Sequence, residues 1–270
     1  MKQQHQARKR FGQNFLVDQQ VISRIVSTID PQPGQLLFEI GPGQAALTQP
    51  LLETGTELHL VEIDRDLAEV LRQRLLLYPN GHLHIADALR LDFAELSAGR
   101  RFRLIGNLPY NISTPLLFHV LQWQAQIIDM HFMLQKELVD RMCSSPGSKA
   151  WGRLAIMCQY HCKVIRMFDV PPTAFSPSPK VQSSIVRLTP HTTPPVEIAD
   201  MKQFQRLVTQ VFNHRRKTLR NCLKGWLEVE QIESLGIDPG LRPEMLDLAA
   251  FAGLSGLLDQ ATAECQDTVD

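Results

Sequence analysis

Four short apolar segments, each closed by a glycine, an acid or an amide and three of them followed by a helical pattern, constrain this chain most. Residues 36–40 run into Gly41-Pro42-Gly43, 58–63 carry Glu62 near their end, 82–86 are closed by Asp87, and 103–106 lead into Asn107. Helical spacing precedes the first segment and fills the first two intervals. Val21, Ile22, Ile25, Val26 and Ile29 mark a helix over 18–28, residues 44–52 form a second, and Leu67, Val70, Leu71 and Leu75 mark a third over 64–77. Strands alternating with helices predict an α/β fold, with a mostly parallel sheet covered on both faces. Further on, the pattern predicts a helix over 113–123 with Pro115 in its first turn, a strand over 127–134, helices over 135–142 and 153–161, and strands over 163–170 and 183–188. A break at 189–195 separates a domain over 1–195 from a small all-α domain over 196–270. Its helices are expected at 201–213, 217–226, 229–235 and 245–258.

A chain of 270 residues, 44% hydrophobic and 21% charged, can bury a substantial core. No apolar stretch reaches the length of a membrane span, and the basic N-terminus lacks the apolar core of a signal peptide. The five cysteines are an odd number, and the Cys158/Cys162 spacing has no second pair to make a zinc site. A reduced, cytoplasmic chain without structural metal is expected. His82 and His84 share one face of a strand, but the sequence offers no third ligand, so they read as surface histidines. No heptad pattern is present, and a monomer is expected. The formal net charge of zero hides two basic clusters. Lys2, Arg8, Lys9 and Arg10 form an N-terminal arm, and His214, Arg215, Arg216, Lys217, Arg220 and Lys224 form the second. Zero net charge argues against indiscriminate polyanion binding, while local clusters suit a site-specific partner.

The turn Gly41-Pro42-Gly43 lets a ligand approach the backbone, and the helix expected after it favours anionic groups. Glu62 follows about twenty residues later, where a carboxylate can accept from two ribose hydroxyls. With Ala46 as a third small residue, this spacing also fits a dinucleotide fingerprint, so NAD is a rival ligand. Two features favour S-adenosylmethionine. Pro42 lacks the N–H that a pyrophosphate would need, and Asp87 can accept from an adenine amino group while Glu62 holds the ribose. Gly41, Glu62, Asp87 and Asn107 would then cap consecutive strands on one rim, around a nucleoside without phosphate.

Asn107-Leu108-Pro109-Tyr110 is a polar-Pro-aromatic turn at a strand's carboxyl end, where open α/β sheets place ligands. The Asn107 side chain and the Leu108 carbonyl offer two acceptors, and Tyr110 offers a flat face. That set suits the exocyclic amino group of a planar base held outside its helix. The plainer alternative is a tight turn with a helix cap at Ser113. DNA adenine and protein-glutamine methyltransferases use an Asn-Pro-Pro-aromatic turn, and Leu108 in place of the first proline argues against both.

Taken together, these motifs resemble the small-subunit rRNA dimethyladenosine transferase family. The resemblance runs from Arg8 to about Met245. It rests on Lys9-Arg-Phe-Gly-Gln-Asn-Phe-Leu16, Glu39-Ile-Gly-Pro-Gly43, Gly106-Asn-Leu-Pro-Tyr-Asn-Ile-Ser113, Met133-Leu-Gln-Lys-Glu137, Phe175-Ser-Pro-Ser-Pro-Lys-Val181 and Phe212-Asn-His-Arg-Arg-Lys-Thr218. It implies a Rossmann-like class I methyltransferase sheet that uses S-adenosylmethionine to dimethylate N6 of two adjacent adenosines near the 3′ end of small-subunit (16S) rRNA, in an immature small subunit. It also implies roles for single residues. Asn14, Leu16, Gly41, Glu62 and Asp87 would hold the cofactor, and Asn107 would lie between cofactor and target. Phe175 would stack on the flipped base opposite Tyr110. Lys9, Arg10, Arg215, Arg216, Lys217 and Arg220 would meet RNA. Two alternatives stand beside this reading: an rRNA-binding assembly factor whose catalysis is secondary, and a large-subunit rRNA adenine methyltransferase.

Overall fold

A computed structural model describes residues 14–109, 112–214 and 216–267, with the backbone alone over 260–267. Its strands are β1 Phe15–Leu16, β2 Leu36–Ile40, β3 Glu57–Glu62, β4 Gly81–Ile85, β5 Phe102–Asn107, β6 Ile127–Gln135, β7 Cys162–Val170, β8 Phe175–Ser176 and β9 Ser183–Pro190. Seven of them form one sheet in the order β4-β3-β2-β5-β6-β9-β7. The pairs β2–β3, β3–β4, β2–β5 and β5–β6 are parallel, and β6–β9 is antiparallel. The chain winds outward from β2 to β4, then returns to the other side of β2 as β5. This reversal opens a crevice at the carboxyl ends of β2 and β5, the place where doubly wound sheets bind ligands.

Alternation along the strands sends successive side chains to opposite faces. Leu37, Leu58, Leu60 and Ile105 join one core with Ile22, Ile25 and Ile29 from the helix Gln19–Ile29 and Leu71 from the helix Arg65–Leu75. On the other face Phe38 meets Phe93 and Phe102 edge-on, with ring centroids 5.4 and 5.1 Å apart. Phe93 belongs to a five-residue helix, Phe93–Ser97, that sequence pattern misses because it is too short for a periodic signal. Asp18, Asp64 and Asp92 each accept backbone N–H groups at a helix start. The Gln19–Ile29 helix ends on a buried arginine. Arg103 donates to the Ile29 carbonyl at 2.6 Å and pairs in bidentate fashion with Asp129 at 2.7 and 2.9 Å.

Gly106 stands opposite Ile40 in the β2–β5 register. A Cβ there would lie 2.6 Å from the Ile40 carbonyl oxygen and 2.9 Å from Leu108 Cδ2. Backbone cannot yield as a flexible side chain does, so Gly106→Ala should cost about 1–3 kcal/mol. Urea unfolding checks this; an unchanged midpoint would mean that the two strands can part at no cost.

The chain forms two compact units, one of residues up to Val139 with Lys163–Pro190, the other of Asp140–Cys162 with His191–Asp270. This differs from a boundary at 195, because the segment 140–162 packs within the second unit. Trp151 is buried there and donates its indole N–H to the Leu246 carbonyl at 2.8 Å. The helix Arg153–His161 buries Leu154, Ala155, Ile156, Met157, Cys158 and Tyr160, and Tyr160 lies 5.9 Å from the Phe204 ring. The helix Met201–Asn213 buries Phe204, Leu207, Val208 and Val211 on one stripe. The helix expected over 217–226 is reduced to Leu219–Cys222, and the last helix, Leu248–Asp267, is longer than its pattern. Among the described residues, no helix is long and apolar enough to cross a membrane.

Candidate active site

A cleft of about 340 Å³ opens along the rim formed by the ends of β4, β3, β2 and β5. Asn14, Leu16, Gly41, Glu62, Asp87 and Asn107 all line it, as do Leu108, Pro109 and Phe175. Residues spread over more than 160 positions of sequence therefore meet at one site.

The turn after β2 takes a left-handed backbone at Gly41 (φ 66°), Gly43 (φ 56°) and Ala45 (φ 67°). Such residues cannot lie in a right-handed helix, so the helix expected over 44–52 begins only at Thr48 and ends at Leu52. The helix terminus anticipated at the turn is thus absent from it. A Cβ on Gly43 would meet the Phe15 ring at 3.3 Å. The turn's donors are also committed: Gly41 N–H to the Val61 carbonyl at 2.9 Å, Gly43 N–H to Glu62 Oε2 at 3.3 Å, and Ala45 N–H to the Pro42 carbonyl at 2.9 Å. With Pro42 offering none, a pyrophosphate would find few donors. Acceptors dominate instead, which suits a phosphate-free nucleoside with a cationic end.

Glu62 is buried at the end of β3 and accepts from the backbone N–H of Asp64 at 2.9 Å as well as from Gly43. Burial raises its pKa despite those bonds. Asp87, after β4, is partly exposed and accepts from the Leu89 N–H at 3.0 Å. Sequence reasoning missed Glu39. It sits in β2 on the cleft wall, is 2% exposed, and accepts from the Thr48 hydroxyl at 2.7 Å. Burial pushes its pKa up to about 7, with the neighbouring Glu62 adding to the effect. The one signal that could have marked it is an acid inside an otherwise apolar strand.

At the end of β5, Asn107 Nδ2 donates to the Asn14 carbonyl at 3.2 Å, leaving the amide oxygen as the acceptor end of the group. Leu108 is buried and its N–H donates to the Met133 carbonyl at 3.2 Å. The Pro109 carbonyl accepts from the Ile112 N–H at 3.1 Å and the Ser113 hydroxyl at 3.0 Å. Ser113 is the first helical residue rather than its cap, since its side chain turns back onto Pro109. Phe175 is buried in the cleft wall, where β8 pairs with β1 and Leu16 stands opposite Phe175. Sequence pattern does not reveal this two-residue ladder, which joins the segment after the basic arm to the start of the Phe175–Val181 motif. Val17 and Asp18 N–H groups reinforce it by donating to the Ala174 carbonyl.

Arg216, Lys217 and Arg220 are exposed beyond the Met201–Asn213 helix. Tyr110, Arg215, Lys9 and Arg10 lie outside the described residues.

A family model described as Ribosomal RNA adenine dimethylase matches residues 4–253. A protein of Pseudomonas aeruginosa named Ribosomal RNA small subunit methyltransferase A is 56% identical over 256 residues, covering 94% of this chain and 96% of that protein. A protein of the same name from Vibrio cholerae is 52% identical over 256 residues, covering 94% of each. Among solved structures, a dimethyladenosine transferase from Plasmodium falciparum superposes with a TM-score of 0.80 at 24% identity, over 92% of this chain and 98% of that one. The 23S rRNA methyltransferase ErmE superposes with a TM-score of 0.73 at 26% identity, over 92% and 100%. The fold is therefore that of the class I methyltransferases, a mixed sheet with helices on both faces. The family match takes in every strand of that sheet and the whole rim, and identity above one half extends along nearly the full length: the chain belongs to the ribosomal RNA adenine dimethylase family.

Proposed function

We propose that this chain transfers methyl groups from S-adenosylmethionine to N6 of two adjacent adenosines near the 3′ end of small-subunit rRNA. The product is a pair of N6,N6-dimethyladenosines, made in the cytoplasm on an immature small subunit. One observation carries this reading: the Asn107-Leu108-Pro109 turn shares a rim with Glu62 and Asp87, and its amide nitrogen is committed to Asn14. An amide oxygen is then the group on offer beside a nucleoside-sized cleft.

S-adenosylmethionine supplies, when bound, a methyl group already activated on a sulfonium. In this reading Glu62 would accept from the ribose hydroxyls, Asp87 would accept from the adenine amino group, Gly41 would face the methionine end, and Asn14 and Leu16 would also hold the cofactor. The target amine is a poor nucleophile because its lone pair is delocalised into the purine. Asn107 Oδ1 and the Leu108 carbonyl accept its two hydrogens, which favours a pyramidal nitrogen with the lone pair exposed. Tyr110 and Phe175 hold the base between them, and stacking offsets extrusion by about 1–3 kcal/mol per base. No general base is needed, since the proton can leave to water after transfer. Lys9, Arg10, Arg215, Arg216, Lys217 and Arg220 contact phosphates, and the chain acts as a monomer.

Mass-spectrometric nucleoside analysis of rRNA from cells with and without the protein tests the proposal. Loss of N6,N6-dimethyladenosine from the small-subunit rRNA is expected. Loss from large-subunit rRNA instead would reassign the substrate, and unchanged rRNA with tight binding to immature subunits would favour an assembly role. Replacing Arg216, Lys217 and Arg220 together with alanine should weaken RNA binding. It should also flatten the log–log salt dependence by ~0.7–0.9 for each phosphate that is no longer neutralised. An unchanged slope would make that cluster a solvated surface.

A further inference from the structure

The outer edge of the sheet carries a cluster that the methyltransferase site does not use. Glu57 and His59 lie on β3, and His82 and His84 on β4, the edge strand. The parallel register sets His59 directly beside His82, and alternation puts all four side chains on one face. Ligand atoms of Glu57, His59 and His82 lie within 4.8 Å of one another. His59 Nε2 is 3.2 Å from Glu57 Oε1, while His59 Nδ1 is 3.1 Å from His84 Nε2. The sequence separates His59 from His82 by a helix and a turn, so the third ligand that His82 and His84 lack in sequence appears only when β3 and β4 pair.

We propose that Glu57, His59 and His82 form a zinc site, open to water at its fourth position and supported by His84. Two imidazoles and a carboxylate are a ligand set that zinc takes in tetrahedral geometry. Bonds of about 2.0–2.1 Å space such ligand atoms about 3.3 Å apart, close to the separation already present between His59 and Glu57. His82 is exposed and can turn inward to complete the set. His59 is held by its neighbours, 8% exposed with its ring edge-on to Phe38 at 5.0 Å. With Nε2 on the metal, its Nδ1–H would donate to His84, the outer partner that fixes ring orientation and tautomer in zinc sites. Arg100 donates to both Glu57 oxygens, at 2.8 Å to Oε2 and 2.6 Å to Oε1. An ion at Oε1 would leave Arg100 on Oε2 as a second outer partner. The ion would fasten the edge strand β4 to β3, on the side chains facing away from Glu62.

The test uses the full chain, freed of metal with a chelator and titrated with zinc chloride against a chromophoric competitor. Wild type should bind a single equivalent, His84→Gln should bind about 10–100-fold more weakly, and His82→Gln should lose at least as much. Circular dichroism should show both variants folded, as suits exposed and half-exposed positions. Zinc should raise the thermal midpoint of wild type and not of His82→Gln. The cobalt-loaded protein should show visible d–d bands without the near-ultraviolet band of a cobalt thiolate. Equal zinc affinity in wild type and His82→Gln, or a strong thiolate band that places the ion on cysteines, would overturn the proposal.

Discussion

Asn107→Ala should reduce methyl transfer by at least about 10²–10³-fold in kcat, the loss typical when one preorganised polar partner of a reacting group is removed. The side chain has two ends with separate duties. Nδ2 holds the Asn14 carbonyl at 3.2 Å, which ties the chain after the arm to the cleft. Oδ1 is the proposed acceptor for the target amine. Alanine removes both, and the first loss alone should weaken cofactor binding only several-fold, since a neutral hydrogen bond contributes about 1 kcal/mol. Asn107→Asp separates the two duties. It keeps acceptors for the amine but sets a carboxylate against the Asn14 carbonyl. Transfer by the Asp variant should therefore exceed that of alanine while its cofactor affinity falls below wild type. Single-turnover rates on immature small subunits, with cofactor affinity measured separately, check both outcomes. A full rate in Asn107→Ala would remove the acceptor role.

Glu39→Gln should stabilise the protein in alkali while weakening its cofactor site. The Glu39 carboxyl titrates at about 7 in the fold, against an ordinary value of 4.5, because burial opposes its charge. An acid with a raised pKa binds more protons folded than unfolded between those values. Stability therefore falls as pH rises through that window, and the full penalty applies above it. The shift corresponds to about 3 kcal/mol. Glutamine carries no such penalty and can still accept from the Thr48 hydroxyl. The variant should match wild type near pH 4, below both values, and exceed it by up to ~3 kcal/mol at pH 8, as measured by urea unfolding. A difference independent of pH would show that Glu39 does not titrate in this window. The same substitution removes a carboxyl that could ionise when a cationic ligand enters the cleft, so cofactor affinity should fall. Stability withheld at a buried acid is a familiar trade at functional sites.

Much of the fold was legible because it rests on local patterns. The apolar runs ending at Gly41, Glu62, Asp87 and Asn107 became β2, β3, β4 and β5 in parallel order, and all four residues line one cleft. Helices 153–161 and 201–213 appear at their expected bounds, since burial on a helical period writes itself into the sequence. The errors have local causes as well. Left-handed residues at Gly43 and Ala45 delay the next helix to Thr48, and nothing in the residue Ala45 itself demands a positive φ. The segment 140–162 joins the second unit because Trp151 and the apolar helix after it find their partners there, and pattern alone names no partner.

The succession of strands and helices along the chain, the acids and the amide that close the strands, and the family motifs are thus determined by the sequence, because each depends on residue type and spacing within a local stretch. Three features were decided only by tertiary structure. Glu39 gains its raised pKa from being sealed under the cleft beside Glu62. Leu16 meets Phe175 through a ladder too short to leave a periodic trace. His59 meets His82 because β3 and β4 pair in a register that places them side by side. Each depends on groups distant in the chain coming within a few ångströms. Burial, hydrogen bonding and metal affinity act over that distance, and a linear pattern does not carry it.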